Sequence, residues 1–265
     1  MPSLAAVTAE LESIAPLRLA AAWDAVGLLV SPRRETIARV MTCLSLTAAV
    51  AAEAADRRAD LVVTHHPLPF RPVARLTAAD DVGRVLLALV AAGTGVWSSH
   101  TAWDSAAGGI NDQLADLVGL EHVAPLEAAP DSPLVGFGRT GTAAEGTTVA
   151  GLARRAGAGL GVRHVQIVGD ATRPAGRVGV VCGSGGDCLP QAVAAACATL
   201  LTGELKLHQA LAAAAAGLAV VAVGHHASER FSMAVLADRL AAAVPGLECW
   251  ASEVERDPLD WLETV

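Results

Sequence analysis

The chain has no tyrosine, only three phenylalanines, and an aromatic share of 3%. Stacking on unpaired bases is therefore not expected of it. Basic residues are also scarce: 19 Lys and Arg stand against 27 Asp and Glu, a formal charge of −8. They never cluster beyond a pair such as Arg33-Arg34, Arg57-Arg58 or Arg154-Arg155. A nucleic-acid partner is accordingly not expected. Five cysteines (Cys43, Cys182, Cys188, Cys197, Cys249) form no CxxC pair, so they read as reduced, mostly buried thiols. The longest stretch without Asp, Glu, Lys or Arg, Leu207 to Ser228, contains four His or Gln residues, is broken by Gly217 and is mostly Ala, so no membrane span is expected. Met1 to Leu19 shows no basic region followed by an apolar block, and the expected location is the cytoplasm.

What is present is core-forming material. Hydrophobic residues make up 53% and charged residues 17%, with a mean hydropathy of +0.45, which excludes intrinsic disorder. Ala-rich helical stretches alternate with short β-branched runs, the pattern of an α/β protein with largely parallel sheets. The expected strands are Arg39 to Leu46, Asp60 to Thr64, Gly95 to Ser99, His164 to Val168, Arg177 to Cys182, Thr199 to Leu201 and Leu218 to Val223. The Gly-, Pro-, Ser- and Thr-rich segment from Pro125 to Gly146 reads as a boundary loop. It divides the chain into α/β halves, residues 1–124 and 125–265, with the C-terminal segment free to pack back on the first. Each half contains two apolar runs ending in metal-capable residues: LVVTHHP and GVWSSHTAWD, then TLLTGELK and AVVAVGHHASE. Open α/β sheets place ligands at strand carboxyl ends, and two similar halves facing each other would enclose a metal-binding cleft.

Six of the eight histidines fall at or just after those strand ends: His65, His66, His100, His208, His225 and His226. His65 and His66 are adjacent in extended chain before Pro67, so they point apart and do not easily chelate one ion. Each could hold one of two ions, or one could support the other. His100 with Asp104, and His225 with Glu229, place a carboxylate four residues after an imidazole, on one face of a helical turn. Mixed imidazole and carboxylate donors suit Zn²⁺, Fe²⁺ or Mn²⁺. The plainer reading makes Asp104 a helix cap and pairs Glu229 with Arg230 or Arg239. Gly183-Ser184-Gly185-Gly186 could cradle an anion or form a simple tight turn, and Glu204 with Lys206 reads first as a surface ion pair.

In order along the chain, Trp23-Asp24-Ala25-Val26-Gly27-Leu28, THHPLPF (Thr64 to Phe70), SHTAWDSAAGGIND (Ser99 to Asp112), CGSGGD (Cys182 to Asp187), TGELKLHQAL (Thr202 to Leu211) and GHHASE (Gly224 to Glu229) resemble the NIF-three-like dinuclear metal-centre proteins, homologues of GTP cyclohydrolase I type 2. The resemblance implies two α/β halves around a dinuclear site, a toroidal homohexamer, and the short form of the family without an inserted domain. Carried over residue by residue, it implies His65, His66, Asp104, His225 and Glu229 as ligands of two divalent transition-metal ions (Zn, Fe or Mn), with His100 nearby. Three positions depart from the family pattern: Ala25 where Asn is common, Ser45 where Asp is common, and Leu207 where an aromatic is common.

The expected function is metal-dependent hydrolysis of a nucleotide-like or phosphorylated small molecule. His100, Glu204 and His208 would move protons or hold the substrate. If the activity is that of a GTP cyclohydrolase, water attacks C8 of guanine and formate leaves. The alternative is a non-catalytic metal-handling protein or ring-forming scaffold, which would need the same ligands.

Overall fold

The computed structural model describes residues 1–262. It contains two compact units: Met1–Leu11, Ala25–Ser99 and the chain from Met233 onward form one, and Glu12–Asp24 with His100–Ser232 form the other. The chain therefore passes between units inside its first helix, after Asp24, after Ser99 and after Ser232, not at residue 124. The reason is local. Position 124 lies in the middle of a strand whose ladder to the next strand runs from Leu120 to Ala129, so a division there would cut a continuous set of backbone hydrogen bonds.

The first unit is built on a five-stranded sheet. Its strands are β1 (Gly27–Val30), β2 (Arg39–Cys43), β3 (Leu61–Thr64), β4 (Gly95–Ser98) and β11 (Glu248–Ala251), in the order β1-β4-β3-β2-β11. All pairs are parallel except β1 with β4. β3 and β4 are buried along their whole length, as expected of parallel strands covered on both faces. Helices α1 (Leu4–Ile14), α2 (Ala48–Asp56), α3 (Asp81–Ala92) and α10 (Ser232–Ala243) accompany it. The side chain of Thr47 accepts the Val50 amide to start α2, and that of Asp80 accepts the Gly83 amide to start α3. Gly93, left-handed at φ +76°, ends α3. Met41, Val50, Val62, Val85, Leu89 and Val96 form the core between sheet and helices.

Neither β1 nor β11 was expected from the sequence. β11 extends the sheet through parallel pairing with β2, from Glu248 opposite Arg39 to Ala251 opposite Thr42. Beyond it, Glu255 turns its buried carboxylate back to accept the amides of Leu44 (2.9 Å) and Ser45 (2.6 Å). The C-terminal segment thereby fixes the loop that follows β2.

The second unit contains a six-stranded sheet, in the order β5-β6-β8-β9-β10-β7. These strands are β5 (Leu120–Ala129), β6 (Ser132–Ala143), β7 (Gln166–Val168), β8 (Arg177–Val181), β9 (Thr199–Thr202) and β10 (Ala219–Ala222). β8, β9 and β10 are parallel and in register, Val181 opposite Thr202 opposite Ala222, so their carboxyl ends are level. Helices α4 (His100–Ser105), α5 (Ile110–Leu117), α6 (Val149–Leu160), α7 (Leu189–Ala194), α8 (Leu207–Ala215) and α9 (His225–Arg230) complete it. The Pro125 to Gly146 segment, expected as a boundary loop, is mostly the β5–β6 hairpin. Its Gly and Thr content reflects an edge hairpin with an exposed outer strand rather than a linker. It carries the buried Arg139, which bonds to Asp112 and to the carbonyls of Ala106, Gly136 and Gly138.

Candidate metal centre

In the first unit the carboxyl ends of β2 and β3 bring His65, His66 and Ser45 together. The His65 amide donates to Cys43 O (2.9 Å) and the His66 amide to Leu44 O (2.8 Å), so the ladder continues past the strands. Ser98 Oγ donates to the His65 carbonyl (2.8 Å) and Thr64 Oγ1 to that of His66 (2.9 Å). This clamped backbone holds the two rings with centroids 5.2 Å apart, tilted by 52°. His65 is buried and His66 half-buried. Ser45 Oγ is hydrogen-bonded to His66 Nδ1 at 2.8 Å, which fixes the ring and leaves Nε2 as the nitrogen that Ser45 does not engage. Ser45 is one of the departures noted above. A hydroxyl reaches the ring there without the charge an aspartate would bring.

In the second unit α4 begins where β4 ends. His100 has φ +28°, a region that side chains other than glycine seldom occupy. Asp24 holds it there: one carboxylate oxygen accepts from His100 Nδ1 (2.7 Å), the other from the Thr101 amide (3.1 Å) and hydroxyl. Burial alone would pull the His100 pKa down. The hydrogen bond to Asp24 and the charges of Asp104, Asp24 and Glu229 outweigh it, and the net direction is up. The edge of the Trp23 ring stands against the imidazole, with centroids 5.9 Å apart.

One turn after His100, Asp104 is buried. Burial, followed by repulsion from Glu229, pushes its carboxyl up to about 7. Cys182, whose thiol is raised well above its usual range chiefly by burial, keeps its proton and donates to Asp104 Oδ1 at 3.2 Å. Asn111 braces both partners, donating to the Asp104 carbonyl (3.1 Å) and accepting the Cys182 amide (2.8 Å).

His225 and Glu229, on α9, meet as their spacing predicts, with Nε2 and Oε2 3.0 Å apart. His225 Nδ1 donates to Glu204 Oε1 (2.9 Å), and the same oxygen accepts Ser184 Oγ (2.6 Å). The bond to Glu229 is the largest contribution, and with Glu204 it raises His225 to about 9 despite burial. The bond from His225 holds Glu204 below the usual carboxylate range. Glu204 thus bonds to Ser184 and His225, where the sequence suggested a surface pair with Lys206, and Glu229 pairs with His225, where Arg230 or Arg239 was the plainer expectation.

The Gly183 turn packs tightly against its surroundings, and part of its backbone is already bonded within the fold. The amides of Cys182, Gly183 and Gly185 already donate to Asn111, Ser228 and Thr202. Gly183, at φ +59°, leaves room for Glu229, whose carboxylate a Cβ would strike. Gly183→Ala is expected to cost about 1–3 kcal/mol from clash and backbone strain. Thermal denaturation with and without added metal would show a fall in stability and a smaller metal-induced shift, and an unchanged profile would contradict this packing.

The second unit therefore gathers two buried carboxylates, Asp104 and Glu229, whose repulsion a proton or a cation would relieve, together with the imidazoles of His100 and His225. The donor types fit a transition-metal ion. His208 is not drawn into this group; it is exposed on α8 and makes no side-chain hydrogen bond to a described residue. Sequence reasoning assigned no role to Asp24, Ser45, Ser184, Cys182 or Asn111. The available signal was membership of the motifs quoted above, which contain Asp24, Asn111, Cys182 and Ser184, and the departure at Ser45; none of these revealed a bonding partner, because each partner is distant in the chain.

A family model described as Duf34/NIF3 (NGG1p interacting factor 3) matches residues 2–258. The NIF3-like protein 1 of Drosophila melanogaster is 35% identical over 264 residues, covering 97% of this chain and 88% of that protein. A GTP cyclohydrolase 1 type 2 homolog of Clostridium perfringens is 28% identical over 253 residues, covering 95% and 97%. The solved Bacillus cereus protein related to NIF3 has the same fold, with a TM-score of 0.91 over 98% of this chain and 99% of that one at 20% identity. A match over nearly the whole chain, together with that shared fold, places this protein in the Duf34/NIF3 family.

Proposed function

We propose that the protein binds two divalent transition-metal ions through His65, His66, Asp104, His225 and Glu229, and hydrolyses a nucleotide-like or phosphorylated small molecule. The observation that carries this reading is Asp104, buried beside Glu229 and pushed up to about 7, because two carboxylates forced together out of water call for a cation. Resident ions would supply Lewis-acid activation of water and neutralise negative charge developing on the substrate.

The chain's own residues would do the rest. Asp24 keeps a proton on His100 Nδ1 and fixes the ring, while Glu204, itself oriented by Ser184, holds the Nδ1 proton of His225. His100 and Glu204 are the groups proposed to move protons or contact substrate. His208, exposed one turn beyond Glu204, would take part only as a substrate contact. The names of the Clostridium perfringens and Drosophila melanogaster relatives are compatible with this reading.

Elemental analysis after reconstitution with Zn²⁺, Mn²⁺ and Fe²⁺ is expected to return about two ions per chain; none with any metal would defeat the proposal. A screen of nucleotides and phosphodiesters with each metal is expected to find turnover that His66→Ala abolishes. Ser45→Ala, which removes the bond to His66, and Glu204→Gln, which replaces the charged acceptor of His225 by a neutral one, are expected to weaken metal affinity about 10–100-fold with the fold retained. Competition against a metal-sensing dye would measure this, and native affinity in both variants would remove the supporting role. A homohexamer is part of the proposal, consistent with exposed Leu134, Leu207 and Leu211. Sedimentation would test it. No helix among the described residues is long and apolar enough to cross a membrane.

A further inference from the structure

Beyond the histidine pair, the first unit contains a cavity of about 360 Å³ between the loop after β3 and the start of α3. Its wall combines three apolar side chains, Phe70, Val73 and Leu76, which are 51%, 48% and 43% exposed, with Arg71, Arg75 and Asp80. Large apolar side chains and charged groups sharing one concave surface are the usual composition of a small-molecule site.

The charges are not balanced within the wall. Asp80 is committed to the helix cap, accepting the Gly83 amide at 2.7 Å, and the next acid, Asp81, pairs with Arg84. Arg71 and Arg75 are exposed and make no ion pair or side-chain hydrogen bond among the described residues. Several other arginines of this acidic chain are paired, among them Arg18, Arg39, Arg57, Arg84 and Arg139. Two unpaired guanidiniums in one concavity present the planar donor forks that bind phosphate. Phe70 adds an aromatic face against which a flat ring can lie.

We propose that this cavity binds a phosphate-bearing small molecule with a planar ring, the phosphate on Arg71 and Arg75 and the ring against Phe70. The wall begins at Pro69, three residues past His66, so its first Cα lies within about 10.5 Å of that of His66 along the chain. A ligand anchored here can therefore extend toward the histidines. That role for the ligand rests on the hydrolase reading above, whereas its binding does not.

Titration calorimetry of metal-stripped, full-length protein at low salt, with adenosine 5′-monophosphate and with inorganic phosphate as probes, tests the assignment. Native protein is expected to bind the nucleotide more tightly than phosphate. Arg71→Gln/Arg75→Gln is expected to weaken both by at least about tenfold. Phe70→Ala is expected to weaken the nucleotide and leave phosphate unchanged. Binding that persists after metal removal, and in Asp104→Asn, supports the cavity whatever becomes of the metal reading. Nucleotide binding that is absent without metal, or undiminished in the arginine double variant, overturns it. A double variant that alters only the sedimentation of the protein would also overturn it, since the arginines would then belong to an interface between copies.

Discussion

Asp104→Asn protein purified without chelator is expected to lose most of its metal while its metal-free form melts no lower than the metal-free native protein. The two effects have one cause. In the metal-free molecule Asp104 is buried beside Glu229, and burial, followed by repulsion from Glu229, pushes its carboxyl up to about 7. A neutral amide of nearly the same shape removes the repulsion and can still accept from Cys182, whose thiol lies 3.2 Å away. The relief is on the order of 2 kcal/mol, about 2–4 °C in melting temperature for each kcal/mol in a chain of this size. With metal the sign reverses: the native protein gains the binding free energy of the ions and the variant does not. Glu229→Gln should behave alike, although it also loses the charged bond to His225. Elemental analysis paired with scanning calorimetry in chelator and in excess Zn²⁺ reads both halves. Native metal content in both variants would mean that these carboxylates are not ligands; a lower metal-free melting point would mean that they are structural.

Arg139→Met should be the most destabilising single change outside the candidate centre. Arg139 is 1% exposed, yet its donors reach Asp112, Gly136 O (2.8 Å), Gly138 O (2.7 Å) and Ala106 O (2.9 Å). It joins the β5–β6 hairpin to the turn that ends α4. Removing one partner of a buried, fully bonded charge leaves the others unsatisfied, at a cost of about 3–5 kcal/mol. Because α4 carries His100 and Asp104, metal affinity should fall as well. Adding Asp112→Asn to Arg139→Met should recover part of the loss, since the stranded carboxylate is then neutral. Urea denaturation of the two variants and the native protein measures this. A midpoint unchanged in Arg139→Met would show that the network contributes nothing net.

The sequence was most informative where local pattern and chemistry coincide. LVVT, set between Asp60 and His65, and LAVVAV, set between Gly217 and Gly224, are short and rich in β-branched residues, and they contain the buried strands β3 and β10. The four-residue spacing of His225 and Glu229 became a direct contact because a helical turn brings such positions together. The Pro125 to Gly146 segment misled because glycine and proline mark linkers and edge hairpins alike; the difference lies in a ladder to a partner strand. β11 was illegible for a related reason. Its parallel partner β2 lies about 200 residues earlier, and nothing local encodes that pairing.

By itself, then, the sequence determined which donor types stand where: imidazoles and carboxylates set at the carboxyl ends of apolar strands, in a chain acidic overall and poor in aromatics. Residue type and short-range spacing carry that information directly. Only the tertiary structure decided how each group is held: Ser45 on His66 across 21 positions, Asp24 on His100 across 76, and Glu204 on His225 across 21. It also decided that Asp104 and Glu229 share buried surroundings. Ring orientation and carboxyl pKa depend on hydrogen-bond partners and on exclusion from water, and both arise when distant segments pack, not from the order of residues along the chain.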